Sequence, residues 1–200
     1  MHICCIIGAP GSGKGTNSIK LCEEHANISH ISIGHELRAM QLEKGSGTLA
    51  SIDTISQVLD ACLAKKEYVI LDGFPRNVEQ LRLLRSREVD LAIAHILVND
   101  QDELIRNLSK RYSCHKCSRS CLESMYCDFC DIPMYKRIDD LDPEAILKRI
   151  AIYQSSLTDI YKYAQSNYIP IVEIAGYSDT TYQEFKERVL SFFGIDNLHF

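Results

Sequence analysis

The sequence predicts an α/β fold in which helices cover both faces of a parallel sheet. Short apolar segments alternate with longer segments of helical periodicity, which is the pattern of strands joined by crossover helices. The first apolar segment, residues 3–7, runs directly into a glycine-rich stretch with the sequence GAPGSGKGT. The chain has 200 residues, 46% of them hydrophobic, which is enough for one compact unit with a single core.

Five apolar segments are predicted to form one parallel sheet. Each is short and bounded by polar, glycine or proline residues, as buried strands are. The second is the least apolar of the set. The segments cover residues 2–7, 28–33, 68–71, 92–98 and 168–174.

Three of the intervening helices have start signals. Asp100 precedes Glu103 by three residues and Thr181 precedes Glu184 by three, and both pairs resemble capping boxes. Asp142 comes before a proline, which is favoured at the first helical position. After it, apolar and aromatic side chains recur at helical spacing and predict a packed face; they are Ile146, Ile150, Tyr153, Leu157, Tyr161 and Ala164.

Two inserts interrupt the alternation. Residues 34–66 are predicted to be helical, and residues 112–139 are predicted to form an irregular, cysteine-bearing segment. Both lie where the chain leaves the carboxyl end of the sheet, next to the glycine-rich loop. Inserts at that edge are natural lids over a ligand.

Residues 8–16 predict a phosphate-binding loop. Glycines allow successive backbone N–H groups to turn inward, and the helix that follows adds its positive end. Lys14 supplies a mobile positive charge for terminal phosphates. The usual loop ends GK[ST], whereas Gly15 follows the lysine in this chain and Thr16 comes one residue later.

A second motif, DGFPR, follows the strand at residues 68–71. An aspartate at the carboxyl end of a strand beside a phosphate loop can hold Mg²⁺ through water, and Asp72 has that position. Arg76, four residues later, can bind a second phosphate group with its two-pronged guanidinium.

Nine cysteines form two groups: four are scattered through the predicted core and five lie between residues 114 and 130. The second group contains two Cys-x-x-Cys knuckles separated by nine residues, and this spacing predicts a structural Zn²⁺ site. An odd, clustered set argues for reduced thiols and a metal, and hence for a cytoplasmic protein. Cys121 is left free or replaces one ligand. The predicted ligands are Cys114, Cys117, Cys127 and Cys130.

The formal charge of −5 argues against nucleic acid as the main partner, even with the zinc knuckles. No apolar run approaches the 18 residues of a membrane span, and the first strand begins at once, so we expect neither a signal peptide nor a membrane anchor.

Taken together, these motifs make the chain resemble the adenylate kinases, within the nucleoside monophosphate kinases. The resemblance covers almost the whole length and rests on GAPGSGKGT at 8–16, HISIGHELRA at 30–39, DGFPRNVEQ at 72–80, the cysteine pairs, YKRIDD at 135–140 and LKRI at 147–150. It implies a monomer that transfers a phosphoryl group from MgATP to AMP and yields two ADP. It also implies a core (1–31, 67–111 and 140–200), a monophosphate-binding insert (32–66) and a zinc-binding lid (112–139).

The resemblance assigns roles to individual residues. The donor ATP is bound by Gly11, Ser12, Gly13, Lys14, Gly15, Thr16, Arg111 and Gly176. The acceptor AMP is bound by Ile33, Arg38, Thr48, Leu49, Ala50, Gly73, Phe74, Pro75, Arg76 and Gln80, with Gln80 reading the adenine. Arg137 and Arg149 close on the migrating phosphoryl group and touch AMP. The catalytic set is therefore Lys14, Arg76, Arg111, Arg137 and Arg149.

Three departures from the family pattern leave alternatives open. Ile33 replaces a threonine, the insert is about ten residues short, and Asn107 stands where the family has a lid arginine, beside Arg106. One alternative is a kinase for another monophosphate, such as CMP, UMP or dAMP. The other is a non-catalytic nucleotide-binding switch or assembly factor on a kinase frame. Gln80 favours adenine, and the intact basic residues favour catalysis.

Overall fold

The computed structural model describes residues 1–40 and 50–195. Its main sheet has five parallel strands: β1 (His2–Gly8), β2 (Ile28–Ser32), β3 (Tyr68–Asp72), β4 (Asp90–Leu97) and β9 (Ile171–Ala175), in the order β2-β3-β1-β4-β9. Four short strands, β5 (Tyr112–Ser113), β6 (Ser120–Cys121), β7 (Tyr126–Cys127) and β8 (Ile132–Pro133), lie between β4 and β9 in the chain. The predicted five-stranded parallel sheet is confirmed.

Eight helices accompany these strands in the described part of the chain. They are α1 (Lys14–Glu24), α2 (Ile33–Ala39), α3 (Ile52–Leu63), α4 (Val78–Arg85), α5 (Gln101–Lys110), α6 (Ile138–Leu141), α7 (Pro143–Ser166) and α8 (Thr181–Phe193). None of the described helices combines the length and hydropathy needed to cross a membrane.

The sheet is covered on both faces because side chains alternate along each strand. In β1, Ile3 and Cys5 point to the face that packs against α3, α4 and α7. Cys4 and Ile6 point to the opposite face, where α1 and α8 pack. The central strand is therefore apolar on both sides.

The last strand begins later than predicted. We predicted a strand from residue 168, but Tyr168 has φ 56 and is 95% exposed, so it belongs to the turn after α7. The first ladder contact of this segment comes from the carbonyl of Pro170, which accepts from the Ile93 amide at 2.8 Å. A positive φ is incompatible with extended backbone, and β9 proper therefore starts at Ile171.

Two of the three predicted helix starts are confirmed. The Asp100 side chain accepts from the Glu103 amide at 3.0 Å, and the Asp142 side chain accepts from the Glu144 amide at 2.9 Å. The predicted capping role of Thr181 is wrong, because this residue is already inside α8. Its hydroxyl donates instead to the Ala175 carbonyl at 2.8 Å, which ties the helix start to the end of β9.

Two inserts interrupt the main sheet along the chain, one between β2 and β3 and one between β4 and β9. The first contains α2 and α3, with residues 41–49 outside the described part. The second was predicted to be irregular, but it contains two short antiparallel hairpins, β5–β6 and β7–β8. Each hairpin has one pair of cysteines near its turn, so the chain direction reverses where the thiols converge.

Candidate active site

The loop between β1 and α1 has the geometry of an anion cradle. Gly13 precedes α1 with φ 83, a left-handed conformation that glycine adopts without strain. Lys14 folds back over the loop: its Nζ donates to the Gly8 carbonyl at 2.8 Å and to the Ala9 carbonyl at 2.7 Å. Burial, against the charge of Asp72 and with the charges of the nearby arginines, lowers the pKa of Lys14 to about 8. The ammonium group is thus poorly solvated and suited to an anionic partner.

The unusual Gly15 is explained by its neighbour. A Cβ at this position would lie 3.1 Å from Oδ2 of Asp72, at the end of β3, so any side chain would press on the carboxylate. His30 Nε2 lies 3.5 Å from the same oxygen. Burial raises the pKa of Asp72, but the hydrogen bond and charge of His30 and the charge of Lys14 outweigh it and lower that pKa. Asp72 is therefore an ionised carboxylate facing the loop.

A cavity of about 520 Å³ opens at this carboxyl edge of the sheet. Its wall contains the loop residues Gly11–Thr16 together with Asp72, Gly73 and Pro75. Six basic side chains from five different regions of the chain line it: Lys14, Arg38, Arg76, Arg111, Arg137 and Arg149. Such a concentration of positive charge in a partly enclosed site is repulsive unless an anion binds.

Asp140, in α6, partly balances this charge. Arg111 donates to both of its carboxylate oxygens, from Nε at 2.9 Å and from Nη2 at 2.8 Å. Arg149 donates to Oδ1 at 2.8 Å. Charge-assisted bonds of this kind fix the guanidinium planes. One buried carboxylate thus positions two arginines that line the cavity.

Arg137 receives less compensation. Its Nε donates to the buried Ser113 hydroxyl at 2.8 Å. Burial, followed by repulsion from Arg111 and Arg38, lowers the pKa of Arg137 to about 9, even though Asp140 opposes the shift. A phosphate oxygen would relieve this repulsion, so Arg137 is prepared for an anionic ligand rather than for a structural ion pair.

Arg38 of α2 and Arg76 after β3 also line the cavity, and both approach Gly34. A Cβ at Gly34 would lie 3.0 Å from Nη2 of Arg76 and 3.4 Å from Nη1 of Arg38. This glycine therefore allows two guanidinium groups to approach one point. Sequence reasoning missed Gly34, although its position between Ile33 and Arg38 in HISIGHELRA was visible.

Several of the other predicted residues lie behind the cavity wall. Ile33 and Phe74 are buried, and neither lines the cavity. Gln80 is also buried, and its Oε1 accepts from the Arg76 amide at 2.8 Å. Gly176 donates its amide to Leu97 and stands behind the lining residue Tyr177. Ala50 packs on the core, and Thr48 and Leu49 lie outside the described residues.

Asn107 and Tyr177 are among the lining residues that were not predicted to bind a ligand. Asn107 of α5 and Tyr177 after β9 are joined by a side-chain hydrogen bond, and the Tyr177 hydroxyl also donates to the Gly11 carbonyl. Tyr177 has φ 57, so the loop is bent to bring the ring to the cavity. The sequence offered no signal for Tyr177. Asn107 was noticed only as a missing arginine.

The second insert brings four thiols together. The Sγ atoms of Cys114, Cys117, Cys127 and Cys130 all lie within 4.8 Å of one another, and those of Cys117 and Cys127 are 3.6 Å apart. A tetrahedron with Zn–S bonds of about 2.3 Å has sulfur separations of roughly 3.8 Å, so the four thiols fit this metal. The Lys116 amide points at Cys114 Sγ from 3.4 Å, as suits a thiolate. Cys121 is outside the cluster, with its Sγ near the Ser124 amide.

Comparison with known proteins identifies the family. The adenylate kinases of Chlamydia pneumoniae and Rickettsia africae are each 31% identical to this chain; the alignments cover 80% and 84% of this chain and 84% and 90% of the relatives. The adenylate kinase of Halobacterium salinarum is 29% identical over 79% of this chain and 82% of its own length. A family model described as an AAA domain matches residues 7–116. This chain belongs to the adenylate kinase family. The resemblance predicted from its motifs is confirmed.

Proposed function

We propose that the protein is an adenylate kinase, an enzyme that transfers the terminal phosphoryl group of MgATP to AMP and forms two ADP. The observation that carries this proposal is the convergence of Lys14, Arg38, Arg76, Arg111, Arg137 and Arg149 on one cavity beside a phosphate loop. Phosphoryl transfer needs in-line positioning, positive charge around the migrating group and exclusion of water, and it needs no side-chain nucleophile.

The donor nucleotide is assigned to the loop side of the cavity. The backbone N–H groups of residues 11–16 hold the phosphates, and Lys14 moves from the loop carbonyls to the β- and γ-phosphates. Asp72 would hold Mg²⁺ through water, and the ion would offset the negative charge of the phosphates. Arg111, held by Asp140, faces the same phosphates.

The acceptor is assigned to the side that Arg38 and Arg76 line, along residues 73–76. Arg137 and Arg149 are assigned to the region between the donor and acceptor sites, where they contact the phosphoryl group during its transfer. Arg137 lies near the end of the second insert and Arg149 follows it, so closure of that insert can bring both to the reaction while expelling water.

We propose the division of the chain that the resemblance implied: a core of residues 1–31, 67–111 and 140–200, a monophosphate-binding insert at 32–66 and a lid at 112–139. In the lid, the apolar cluster around Cys114 and Cys127 is small, with Met134 the one other fully buried member. A structural Zn²⁺ on the four thiols would supply folding free energy that this core lacks. We also propose a cytoplasmic location, which the free thiols favour, and the monomeric state that the resemblance implied.

Acceptor choice is the part of the proposal with a competitor. Ile33 has no hydroxyl to offer the adenine, which would reduce the preference for AMP over CMP or UMP by up to about tenfold, the worth of one hydrogen bond. Gln80 favours AMP if its amide nitrogen reaches the adenine edge while Oε1 stays on the Arg76 amide. Ile33 and Gln80 therefore make opposite predictions about the AMP to CMP ratio of kcat/KM.

The test is ADP formation from MgATP with AMP, dAMP, CMP and UMP, for the wild type and for Gln80→Ala. We expect AMP to be the best acceptor and Gln80→Ala to lower the AMP to CMP ratio of kcat/KM. Asn77 caps α4 next to Gln80, and Glu79→Gln, an exposed change on the same helix, serves as the control. A nucleotide-binding switch would bind ATP but release no ADP with any acceptor.

A further inference from the structure

A buried histidine lies outside the phosphate-binding machinery. His95, in β4, is 2% exposed and lies between two tyrosines of α7. Its Nε2 is 2.5 Å from the Tyr153 hydroxyl, and its Nδ1 is 2.6 Å from the Tyr161 hydroxyl. Both rings meet the imidazole edge to face, with centroids 5.9 and 5.7 Å away.

The hydrogen bonds in this group have a single consistent direction. Tyr161 donates to Oε1 of Glu173, in β9, at 2.8 Å, and a carboxylate can only accept. The one hydroxyl proton of Tyr161 is thereby used, so its oxygen accepts from His95 Nδ1–H. The neutral imidazole then has its lone pair on Nε2, which accepts from Tyr153. Proton donation thus runs from Tyr153 through His95 and Tyr161 to Glu173.

The imidazole is held neutral. Burial lowers the pKa of His95 to about 4, and the positive charge of Lys14 adds to the shift, although Glu173 opposes it. Burial also raises the pKa of Tyr153 to about 12, so both groups keep the protonation that the chain of bonds requires. Glu173 itself is exposed on the edge strand, where solvent stabilises its charge.

One end of this chain of hydrogen bonds reaches the candidate active site. Tyr153 lines the central cavity together with Arg149, which precedes it by four residues on α7. Residues four apart lie on one helix face, so the contacts that hold the Tyr153 side of α7 against β4 also set where the backbone of Arg149 lies. The other end, with Tyr161 and Glu173, lines a second cavity at the edge of the sheet.

We propose that His95 is a positioning residue for phosphoryl transfer: the ordered chain Tyr153–His95–Tyr161–Glu173 sets the rotation of α7 on the sheet and thereby the placement of Arg149. This inference rests on the proposed function, because the role of Arg149 is part of that function. A displaced Arg149 would stabilise the transition state less while leaving ground-state binding largely intact.

The first test concerns the direction of the bonds and needs no activity. In Glu173→Gln the side-chain amide can donate to Tyr161 as well as accept from it, so either order is allowed. Nitrogen-15 NMR of the imidazole should show protonated Nδ1 and unprotonated Nε2 in the wild type and a mixture of both tautomers in Glu173→Gln. An unchanged tautomer in this variant would overturn the ordered chain.

The second test concerns catalysis. In Tyr161→Phe and His95→Phe, kcat for ADP formation should fall about tenfold, while KM for both nucleotides stays within about twofold. Asp159 is an exposed carboxylate on α7 that takes no part in the chain of hydrogen bonds. Asp159→Asn is therefore the matched control and should keep the wild-type kcat. Tyr161→Phe removes one oxygen from a half-buried ring, so it reports on positioning even if His95→Phe folds poorly.

The positioning role is overturned if Tyr161→Phe retains the wild-type kcat, or if Asp159→Asn loses as much. An inactive wild type would count against the proposed function instead, and the NMR result would still decide whether the ordered chain exists.

Discussion

Arg111 and Asp140 form a two-pronged ion pair at the base of the second insert: Nε and Nη2 of the arginine donate to the two carboxylate oxygens at 2.9 and 2.8 Å. The carboxylate is shielded from solvent, with a side-chain exposure of 0%. Because Arg149 donates to the same group, Asp140 fixes the geometry between two cations that repel each other.

Asp140→Asn should therefore be strongly destabilising. The substitution leaves Arg111 and Arg149 close together without the charge that balances them, and breaking a buried pair of this kind costs about 3 kcal/mol or more. Urea unfolding of the variant and of the control Asp159→Asn measures the effect. A decrease of less than about 1 kcal/mol in the unfolding free energy of Asp140→Asn would contradict this. It would show that water or side-chain movement already compensates the charges of Arg111 and Arg149.

Lys14→Met should abolish most of the turnover. The lysine supplies charge to developing phosphate oxygens in a site that excludes water, where loss of one such donor lowers kcat by roughly a hundred- to a thousandfold. Steady-state ADP formation measures this, with the exposed Lys65→Met as the control. Full turnover in Lys14→Met would remove the proposed mechanism.

Activity should decline as the pH rises above about 8, because the free enzyme then loses the Lys14 charge. The effect of rising pH on stability has the opposite sign. Between about 8 and the ordinary pKa of 10.5, the unfolded chain keeps a proton that the folded protein has released, so the contribution of Lys14 to the free energy of unfolding increases with pH.

The pH profile of kcat/KM for MgATP tests this assignment in the wild type and in Lys14→Arg. Arginine keeps its charge, so the alkaline limb should move to higher pH in the variant even if its maximum is lower. An alkaline limb at the same pH in both proteins would assign it to another group.

The purified protein should contain one zinc per chain. Cys127→Ser should lose most of it, because one of four thiolates is removed, whereas Cys121→Ser should retain it, because this sulfur lies outside the cluster. Elemental analysis of the three proteins measures the metal directly. Equal losses in the two variants would place Cys121 among the ligands.

Much of the fold followed from local chemistry that the sequence displays. The strand before Gly8, the glycine-rich loop and the caps at Asp100 and Asp142 each depend on a few adjacent residues, and their spacing is enough to predict them. The cysteine knuckles were predictable for the same reason, since metal geometry constrains ligand spacing.

The remaining features depend on contacts between distant segments. The hydrogen bond between His95 and Tyr161 joins residues that are 66 positions apart in the sequence. No rule of local spacing predicts a contact between a strand residue and a distant helix face. The same holds for Tyr177, whose ring reaches the cavity because of a left-handed backbone. Thr181 misled the sequence argument because it lies inside α8, where its hydroxyl donates to the Ala175 carbonyl and accepts from the Ser178 amide.

The most direct test of the account is the fate of the terminal phosphate of ATP. Protein incubated with Mg²⁺, AMP and ATP labelled in the γ-phosphate should place the label in the β-phosphate of newly formed ADP, with two ADP formed for each AMP consumed. Label that stays in ATP, or that appears as inorganic phosphate without consumption of AMP, would contradict the claim that the six basic side chains serve transfer to an acceptor nucleotide.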